Sequence, residues 1–291
     1  MSSMNECDVL LADEGGRTGR VVVRDLGRHG LRVRVFDDSA VASDEYGYVR
    51  GLRRCVEECS PRMIIPVFKG EWLSSHRDEI LSDLPEVPSV PVDTAEKLHL
   101  LDDKVLCSQL ASGLGIVQPV MYSDDGFDSI GSWPVVFKRA AGLSGSGVYF
   151  PRDRRALDNL VRSCNFSGGV KPHLVMDYID GYDVCVDAIR WPSADPSGET
   201  FFAASAYRVI LPRGKGISRL RMPVRHPELV ASARKILDSI DYRGVCGFDF
   251  RIDRRSGKSY FLECNPRLSG GLSTTIAFGP DLPWLLWKLG R

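Results

Sequence analysis

Two apolar stretches joined by a short polar turn place the strongest constraint on the fold. Residues 244–253 (GVCGFDFRID) and 259–267 (SYFLECNPR) are rich in residues that favour β-strands, and residues 254–258 (RRSGK) between them are polar and contain glycine. This pattern is typical of a β-hairpin. Because side chains alternate along a strand, we expect Asp249 and Glu263 on neighbouring strands, with Asn265 on the same face as Glu263.

The polar residues of this hairpin interrupt otherwise apolar strands. Burying Asp249, Glu263, Asn265 and Arg267 together would be costly without a bound cation or anion. Three oxygen donors with no His or Cys ligand pattern beside them suit Mg²⁺ bridging phosphate oxygens better than zinc or iron. A single carboxylate would fit a solvated hairpin face equally well, but the four residues together favour a metal and phosphate site.

The composition excludes several classes of protein. A chain of 291 residues can form two or three subdomains, and its 38 Lys and Arg residues balance 38 Asp and Glu residues. No net charge therefore attracts nucleic acid or an anionic membrane. No run approaches 18 apolar residues, and residues 1–7 lack the features of a signal peptide. We expect a soluble, cytoplasmic protein without nucleic-acid or membrane partners.

The eight cysteines are scattered and form no Cys-x-x-Cys motif. Buried, reduced thiols are the favoured interpretation. Cys264 lies beside the predicted metal ligands, but strand alternation turns its side chain to the opposite face, which argues against a nucleophilic role.

Residues 7–93 alternate between apolar strand patterns and helical patterns. Strands are expected near 7–13, 31–36 and 63–67, and helices near 17–28, 49–59 and 72–84. This alternation predicts a parallel sheet with crossover helices. The glycine-containing segment 14–19 could bind an anion at a helix N-terminus, but it lacks the spacing of a dinucleotide fingerprint. A structural turn is therefore favoured over a dehydrogenase site.

A glycine- and serine-rich loop follows the predicted strand that carries Lys138. Its backbone N–H groups and hydroxyls could close over phosphates, although a flexible hairpin loop explains it about as well. It is not a Walker loop, because Lys138 precedes the glycines. The loop residues singled out are Gly142, Ser144, Gly145, Ser146 and Gly147.

The sequence of the second half of the chain predicts several strands and one basic loop. Strands are expected at 173–179, 184–190 and 201–208, and a helix at 228–240 precedes the hairpin. The basic loop 211–222 contains Arg219 and Arg221, which could bind an anionic substrate or an acyl phosphate. A solvated mobile loop is nearly as consistent with this composition.

The order of these motifs along roughly residues 7–280 resembles the ATP-grasp superfamily, above all its carbamoyl-phosphate-synthetase-like and biotin-carboxylase-like members. The resemblance depends on the joint order of the motifs. It implies an α/β and α+β fold, with a parallel α/β pre-ATP-grasp domain (1–93) followed by a two-subdomain ATP-grasp fold with antiparallel sheets. A linker and helical part (94–130), a small subdomain with the glycine-rich loop (131–182) and a C-terminal subdomain with the magnesium and phosphate site (183–291) would follow.

The resemblance also implies a nucleotide site. Lys104 and Lys138 would contact the phosphates of ATP, and the loop from Gly142 to Gly147 would cover the β- and γ-phosphates. The backbone of the hinge would pair with adenine, and Asp183 would bind the ribose hydroxyls. The hinge residues are Met176, Asp177, Tyr178 and Ile179.

For the reacting groups, the resemblance implies that Asp249, Glu263 and Asn265 hold Mg²⁺, with Mn²⁺ as an alternative. Arg267 would steady the transferred phosphoryl group or the acyl phosphate, and Arg219 and Arg221 would be available for a carboxylate.

The activity implied is that of an ADP-forming carboxylate–amine ligase. Its substrates would be a small-molecule carboxylate and an amine, such as amino acids. Asp183 and Asp249 stand where many members have glutamate, which keeps open a non-catalytic ATP-binding module that acts as a sensor or partner subunit. The sequence also leaves the oligomeric state open, including a homo-oligomer, and the short segment after residue 288 argues against biotin carboxylation.

Overall fold

The computed structural model describes residues 6–13, 16–41, 43–139, 147–164, 173–193, 198–211 and 220–291, which form three β-sheets. The first sheet is parallel, as predicted. Its strands are β1 (Val9–Leu11), β2 (Val33–Val35) and β3 (Met63–Ile65), in the order β2-β1-β3. Helices α1 (Gly16–Arg28) and α2 (Glu45–Cys59) connect them.

β1 is buried on both faces, which explains its uninterrupted apolar sequence. Leu10 packs in the cluster that contains Leu52 of α2. Leu11 packs on the other face, in the cluster that contains Leu26 of α1 and Leu286 near the C-terminus of the chain.

Two short helices follow the first sheet where the sequence predicts one. They are α3 (Gly70–Ser75) and α4 (Arg77–Leu81), whereas the helical pattern runs over 72–84. The chain leaves helical geometry at His76, with φ −109° and ψ 21°, and the His76 ring lies 3.1 Å from the Glu79 carboxylate. The single predicted helix is therefore divided in two at His76, where a local polar contact is present.

Two further helices precede the second sheet, namely α5 (Ala95–Asp102) and α6 (Lys104–Gly113). They are separated at Asp103, whose carboxylate accepts hydrogen bonds from the backbone N–H groups of Val105 and Leu106 at 2.8 and 2.9 Å. This N-cap satisfies donors at the start of α6 and makes Lys104 its first residue.

The second sheet is antiparallel and has the strand order β4-β7-β5-β6. Its elements are β4 (Met121–Tyr122), β5 (Val135–Arg139), β6 (Val148–Tyr149), helix α7 (Arg154–Cys164) and β7 (His173–Asp177). Phe137 and Val175 of the sheet pack against Leu157 of α7. β4 pairs with β7 although it lies in the segment 94–130, which the sequence analysis assigns to the linker.

The third sheet is antiparallel, in the order β10-β9-β8-β11-β12. Its elements are β8 (Gly181–Trp191), β9 (Phe201–Leu211), β10 (Leu220–Val224), helix α8 (Pro227–Ser239), β11 (Gly244–Asp253) and β12 (Ser259–Asn265). One face packs against α8, through residues such as Val186, Phe248 and Ile236. The opposite face carries polar side chains such as Asp187 and Asp249, and also Ile189 and Val245, which pack in the core cluster of the first sheet.

The chain ends with α9 (Leu272–Phe278) and α10 (Leu282–Leu289). Leu286 and Trp287 of α10 belong to the same core cluster as β1 and β3, so the last helix packs against the first sheet. Among the described residues, no helix has both the length and the apolar character needed to cross a membrane.

Candidate active site

The predicted hairpin is confirmed, and it places two carboxylates side by side. β11 and β12 are antiparallel, with Asp249 directly opposite Glu263 and Gly247 opposite Asn265. A register shift follows between Asp249 and Phe250. A bulge at this point bends the strand next to the carboxylates, as bulges often do beside functional sites.

Three cationic side chains approach this pair from other parts of the chain. Lys138 of β5 is buried, and its Nζ lies 3.4 Å from Glu263 Oε2. The charge of Lys104, at the start of α6, also acts on Glu263. Arg267 donates from Nη2 to Asn265 Oδ1 at 2.8 Å, and its guanidinium lies 5.4 Å from the centre of the Phe68 ring.

These charges act differently on the two carboxylates. Burial raises the pKa of Asp249 to about 7, and the negative charge of Glu263 adds to this effect. Burial also raises the pKa of Glu263, but the positive charges of Lys138, Lys104 and Arg267 outweigh it, so this pKa lies below its ordinary value. Glu263 therefore carries its negative charge more readily than Asp249 does. A further cation near Asp249 would favour the ionised form of that carboxylate. An oxygen-only donor set of this kind fits Mg²⁺.

Comparisons with known proteins show what the chain is similar to. Residues 169–290 match the model of a family described as "ATP-grasp in the biosynthetic pathway with Ter operon". The N-terminal section of the carbamoyl phosphate synthase large chain of Methanopyrus kandleri is 25% identical over 153 residues, which cover 47% of this chain and 25% of that protein. The match thus spans only a quarter of this curated relative.

Solved structures extend the similarity over the whole chain. Biotin carboxylase from Campylobacter jejuni, solved with a β,γ-ATP compound, superposes with a TM-score of 0.74 at 17% identity, covering 100% of this chain and 72% of that one. The chain thus has the fold of this carboxylase, and its residues 169–290 match an ATP-grasp family model. L-amino acid ligase from Bacillus licheniformis shares the fold with a TM-score of 0.68 at 15% identity, covering 99% of this chain and 75% of that one.

The predicted glycine-rich loop falls mostly outside the described residues. Gly142, Ser144, Gly145 and Ser146 all lie there. Gly147 is described. It immediately precedes β6 and has a positive φ of 95°. Because Lys138 pairs with Val148, the loop leaves β5 and returns to the sheet beside Lys138. Its role over phosphates stays a prediction.

The segment predicted to bind adenine connects the second and third sheets. Met176 is buried within β7. Asp177 donates its backbone N–H to the carbonyl of Val120 at 2.9 Å, and its carboxylate accepts a hydrogen bond from the Tyr122 hydroxyl at 2.6 Å. This hydrogen bond raises the pKa of Tyr122 to about 12. Tyr178 follows β7 and is partly exposed.

The residue predicted to bind ribose already has a partner within the protein. Arg251 donates from Nη1 to Asp183 Oδ1 at 2.7 Å and from Nε to the carbonyl of Ile179 at 2.6 Å. The pair ties the hinge segment to β11. A ribose would bind to an Asp183 carboxylate whose position Arg251 sets.

Two arginines were predicted to bind the carboxylate of a substrate, and one of them lies among the described residues. Arg219 lies outside the described residues. Arg221 lies on β10, with its guanidinium 5.7 Å from the centre of the Tyr207 ring. Tyr207 lies opposite Cys185 of β8, and Cys185 lies opposite Asp249, so Arg221 borders the same face of the third sheet.

One polar group on this face was not singled out from the sequence. Asp187 is 2% exposed, and the hydroxyls of Ser269 and Thr275 donate to its Oδ2 at 2.7 and 2.5 Å. It lies on the same face of β8 as Asp183, four residues earlier. The period-two spacing of Asp183, Cys185 and Asp187 was the available signal.

Proposed function

We propose that this chain is an ATP-dependent carboxylate–amine ligase that forms an amide or peptide bond through an acyl phosphate and releases ADP and phosphate. The observation that carries the proposal is the convergence of Lys138, Lys104 and Arg267 on the Asp249–Glu263 pair. Three cations and two carboxylates from separate parts of the chain meet on one face of the third sheet.

Such a cluster suits phosphoryl transfer better than acid–base chemistry. The transition state of phosphoryl transfer spreads negative charge over equatorial oxygens, and catalysis depends on positioning and electrostatic stabilisation. Lys138 and Lys104 would neutralise the phosphates of ATP. The Glu263 carboxylate, 3.4 Å from the Lys138 ammonium group, supports its position.

Asp249, Glu263 and Asn265 would hold Mg²⁺, which supplies further positive charge to the phosphate oxygens when bound. The position of Arg267 is set by its hydrogen bond to Asn265 and by the Phe68 ring. This places the guanidinium beside the proposed metal ligands, where it would stabilise the acyl phosphate.

The reaction would proceed in two steps. A carboxylate oxygen of the acid attacks the γ-phosphorus of ATP, and the bond from phosphorus to the ADP oxygen breaks. The amine nitrogen then attacks the carbonyl carbon of the acyl phosphate. Phosphate leaves with the electron pair of the C–O bond, and the nitrogen loses a proton to solvent. The shared fold of an L-amino acid ligase supports amino acids as substrates.

The test combines turnover with isotope transfer. The purified chain is incubated with ATP, Mg²⁺ and pools of amino acids and other small acids and amines, and new amides are identified by mass spectrometry. ADP should accumulate. With ¹⁸O-labelled carboxylate, one ¹⁸O atom should appear in the released phosphate, because the acyl phosphate passes a carboxylate oxygen to it.

Two outcomes would contradict this proposal. Release of AMP and pyrophosphate would show an acyl adenylate in place of an acyl phosphate. Tight ATP binding in calorimetry without ADP release in any pool would favour the non-catalytic module, a possibility raised by aspartate at positions 183 and 249.

A further inference from the structure

A second group of metal-ligating side chains lies where helix α1 meets the start of α10. Asp25 is on α1, His29 is the residue after that helix, and Asp281 is the residue before α10. Each offers one ligand atom, and these atoms all lie within 4.8 Å of one another. None of the three belongs to the proposed ATP site, so an inference drawn from them does not depend on the ligase function.

Asp25 is the buried member of this group. It is 4% exposed, and its Oδ2 is buried without a hydrogen-bond donor among the described residues. Its carboxyl group lies close enough to that of Asp281 for a hydrogen bond between them. Two ionised carboxylates offer acceptors only, so this contact needs a proton or a cation between them. A proton fills this role in the metal-free chain, and a metal ion would satisfy the same oxygens.

Packing and hydrogen bonds orient the other two ligands. Asp281 Oδ1 accepts the backbone N–H of Trp284 at 3.1 Å, and its Oδ2 lies 2.8 Å from His29 Nε2. The His29 ring stacks on the Trp284 indole, with the ring centres 4.1 Å apart and the planes at 8°. Asp25 and His29 are four residues apart, so they lie on one side of the helix. The three ligands are therefore brought together by the fold itself.

The donor set suits Zn²⁺. This ion takes imidazole nitrogen and carboxylate oxygen ligands at about 2.0–2.2 Å in tetrahedral geometry, whereas Mg²⁺ prefers oxygen ligands alone. Two ligand atoms of such an ion lie about 3.3 Å apart. His29 Nε2 and Asp281 Oδ2 need only a small side-chain rotation to reach this spacing. The two side chains are 33% and 27% exposed, which gives the ion access from solvent and leaves room for a water as fourth ligand.

The charges around the group also favour a divalent ion. Protonation of His29 would not satisfy Asp25 Oδ2, because Nε2 already contacts Asp281. The charge of Arg28 acts on Asp25, but less than that of His29 does. Arg28 is exposed, so solvent and salt screen its charge. Two carboxylates beside a neutral imidazole therefore keep a net negative charge.

We propose that Asp25, His29 and Asp281 bind Zn²⁺ and that the ion fixes α1 against α10. Leu26 of α1 and Leu286 of α10 belong to one core cluster, so the two helices already pack together. His29 and Asp281 are 252 positions apart, and the unfolded chain does not hold such a site in place. The ion should therefore stabilise the folded state.

The first test uses the wild-type chain and Zn²⁺ alone. The chain is freed of metal with EDTA, dialysed and titrated with Zn²⁺, and elemental analysis counts the bound ions. The Tm should rise by about 5 °C when free Zn²⁺ is about a hundred times the measured Kd. Mg²⁺ at the same concentration should not produce this rise. Absence of a rise with Zn²⁺, or an equal rise with Mg²⁺, would overturn the proposal.

The second test is Asp25→Asn, which keeps the shape of the side chain. Without Zn²⁺ this variant should melt at or above the wild-type Tm, because the amide can donate to Asp281. Its Zn²⁺ affinity should fall about a hundredfold or more, as expected for loss of a ligand, and the Zn²⁺-dependent rise in Tm should disappear. A merely structural role of Asp25 would lower the Tm without Zn²⁺ and leave the rise in place, and that result would contradict the proposal.

His29→Phe replaces Asp25→Asn if that variant fails to fold. The phenyl ring can still stack on Trp284, but the metal-binding nitrogen is gone, so the same loss of Zn²⁺ affinity is expected. His99→Phe is the matched control, because His99 is exposed on α5 and pairs with Glu71. It should keep the wild-type response to Zn²⁺. An equal response in His29→Phe and His99→Phe would overturn the proposal.

A last measurement distinguishes this site from other places where zinc could bind. The chain has eight cysteines, and the Asp249–Glu263 pair is also acidic. X-ray absorption of the complex with one zinc per chain should show nitrogen and oxygen ligands at about 2.0–2.2 Å and no sulfur at about 2.3 Å. Glu263→Gln should keep the Zn²⁺-dependent rise in Tm. A sulfur ligand, or loss of the rise in Glu263→Gln, would place the ion elsewhere and refute the assignment.

Discussion

Neutralising Glu263 should be the most damaging single change to the proposed activity. The substitution Glu263→Gln keeps the shape of the side chain but removes one of the two negative charges that would face the metal. It also removes the partner of Lys138, whose Nζ lies 3.4 Å away. We expect ADP release to fall by about 10²-fold or more, the usual effect of losing one group from an electrostatic catalytic centre.

The geometry shows that this magnitude is reasonable. Two unit charges at the Lys138–Glu263 distance of 3.4 Å interact by about 5 kcal/mol at an effective dielectric constant near 20. A 10²-fold loss of turnover corresponds to about 2.7 kcal/mol. Roughly half of one such interaction therefore accounts for the predicted effect.

The fold should survive the change. Removing one partner of a buried ion pair costs about 3–5 kcal/mol when the other charge is left uncompensated. Here the charge of Lys138 also acts on Asp249, which remains to face it. The free energy of unfolding should therefore fall by clearly less than that amount.

The assay pairs two measurements on each protein. Thermal melting without ligand reports the fold, and ADP release at saturating ATP and Mg²⁺ reports turnover. Glu228→Gln is the matched control, because it makes the same change on the exposed first turn of α8. Near-wild-type turnover in well-folded Glu263→Gln would remove this residue from the metal site and take away the main support for a catalytic hairpin.

Two further predictions concern residues outside the site. Burial and the neighbouring Asp281 raise the pKa of Asp25 to about 7 from an ordinary value of 3.8, so stability present at low pH should be lost as the pH rises towards 7. Asp25→Asn should make stability depend less on pH. Melting temperatures are measured for both proteins from about pH 4 to pH 8, and an equal change with pH in the two proteins would contradict the prediction. Arg190 is buried and binds Asp238 and Asp241 at 2.6 and 2.8 Å, so Arg190→Met should lower the free energy of unfolding by about 2 kcal/mol. Urea unfolding measures this, and ADP release per folded molecule should not change.

The hairpin at residues 244–267 is the part of the site that could be predicted in detail. Period-two alternation and a polar turn were enough to place Asp249 and Glu263 on neighbouring strands, because both signals are local, and the structure adds that the two are directly opposite. The parallel first sheet was predictable for the same reason. The division of one expected helix at His76 was not, since it accompanies a side-chain contact that the helical pattern does not contain.

Contacts between distant residues could not be predicted from such patterns. Lys138 and Glu263 are 125 positions apart and lie on different sheets. Asp187 was missed because the groups that orient it, Ser269 and Thr275, follow 82 and 88 positions later. The period-two spacing with Asp183 places Asp187 on the same face of the strand, but the local sequence does not show that it is buried. Its buried, half-satisfied carboxylate becomes visible only in three dimensions.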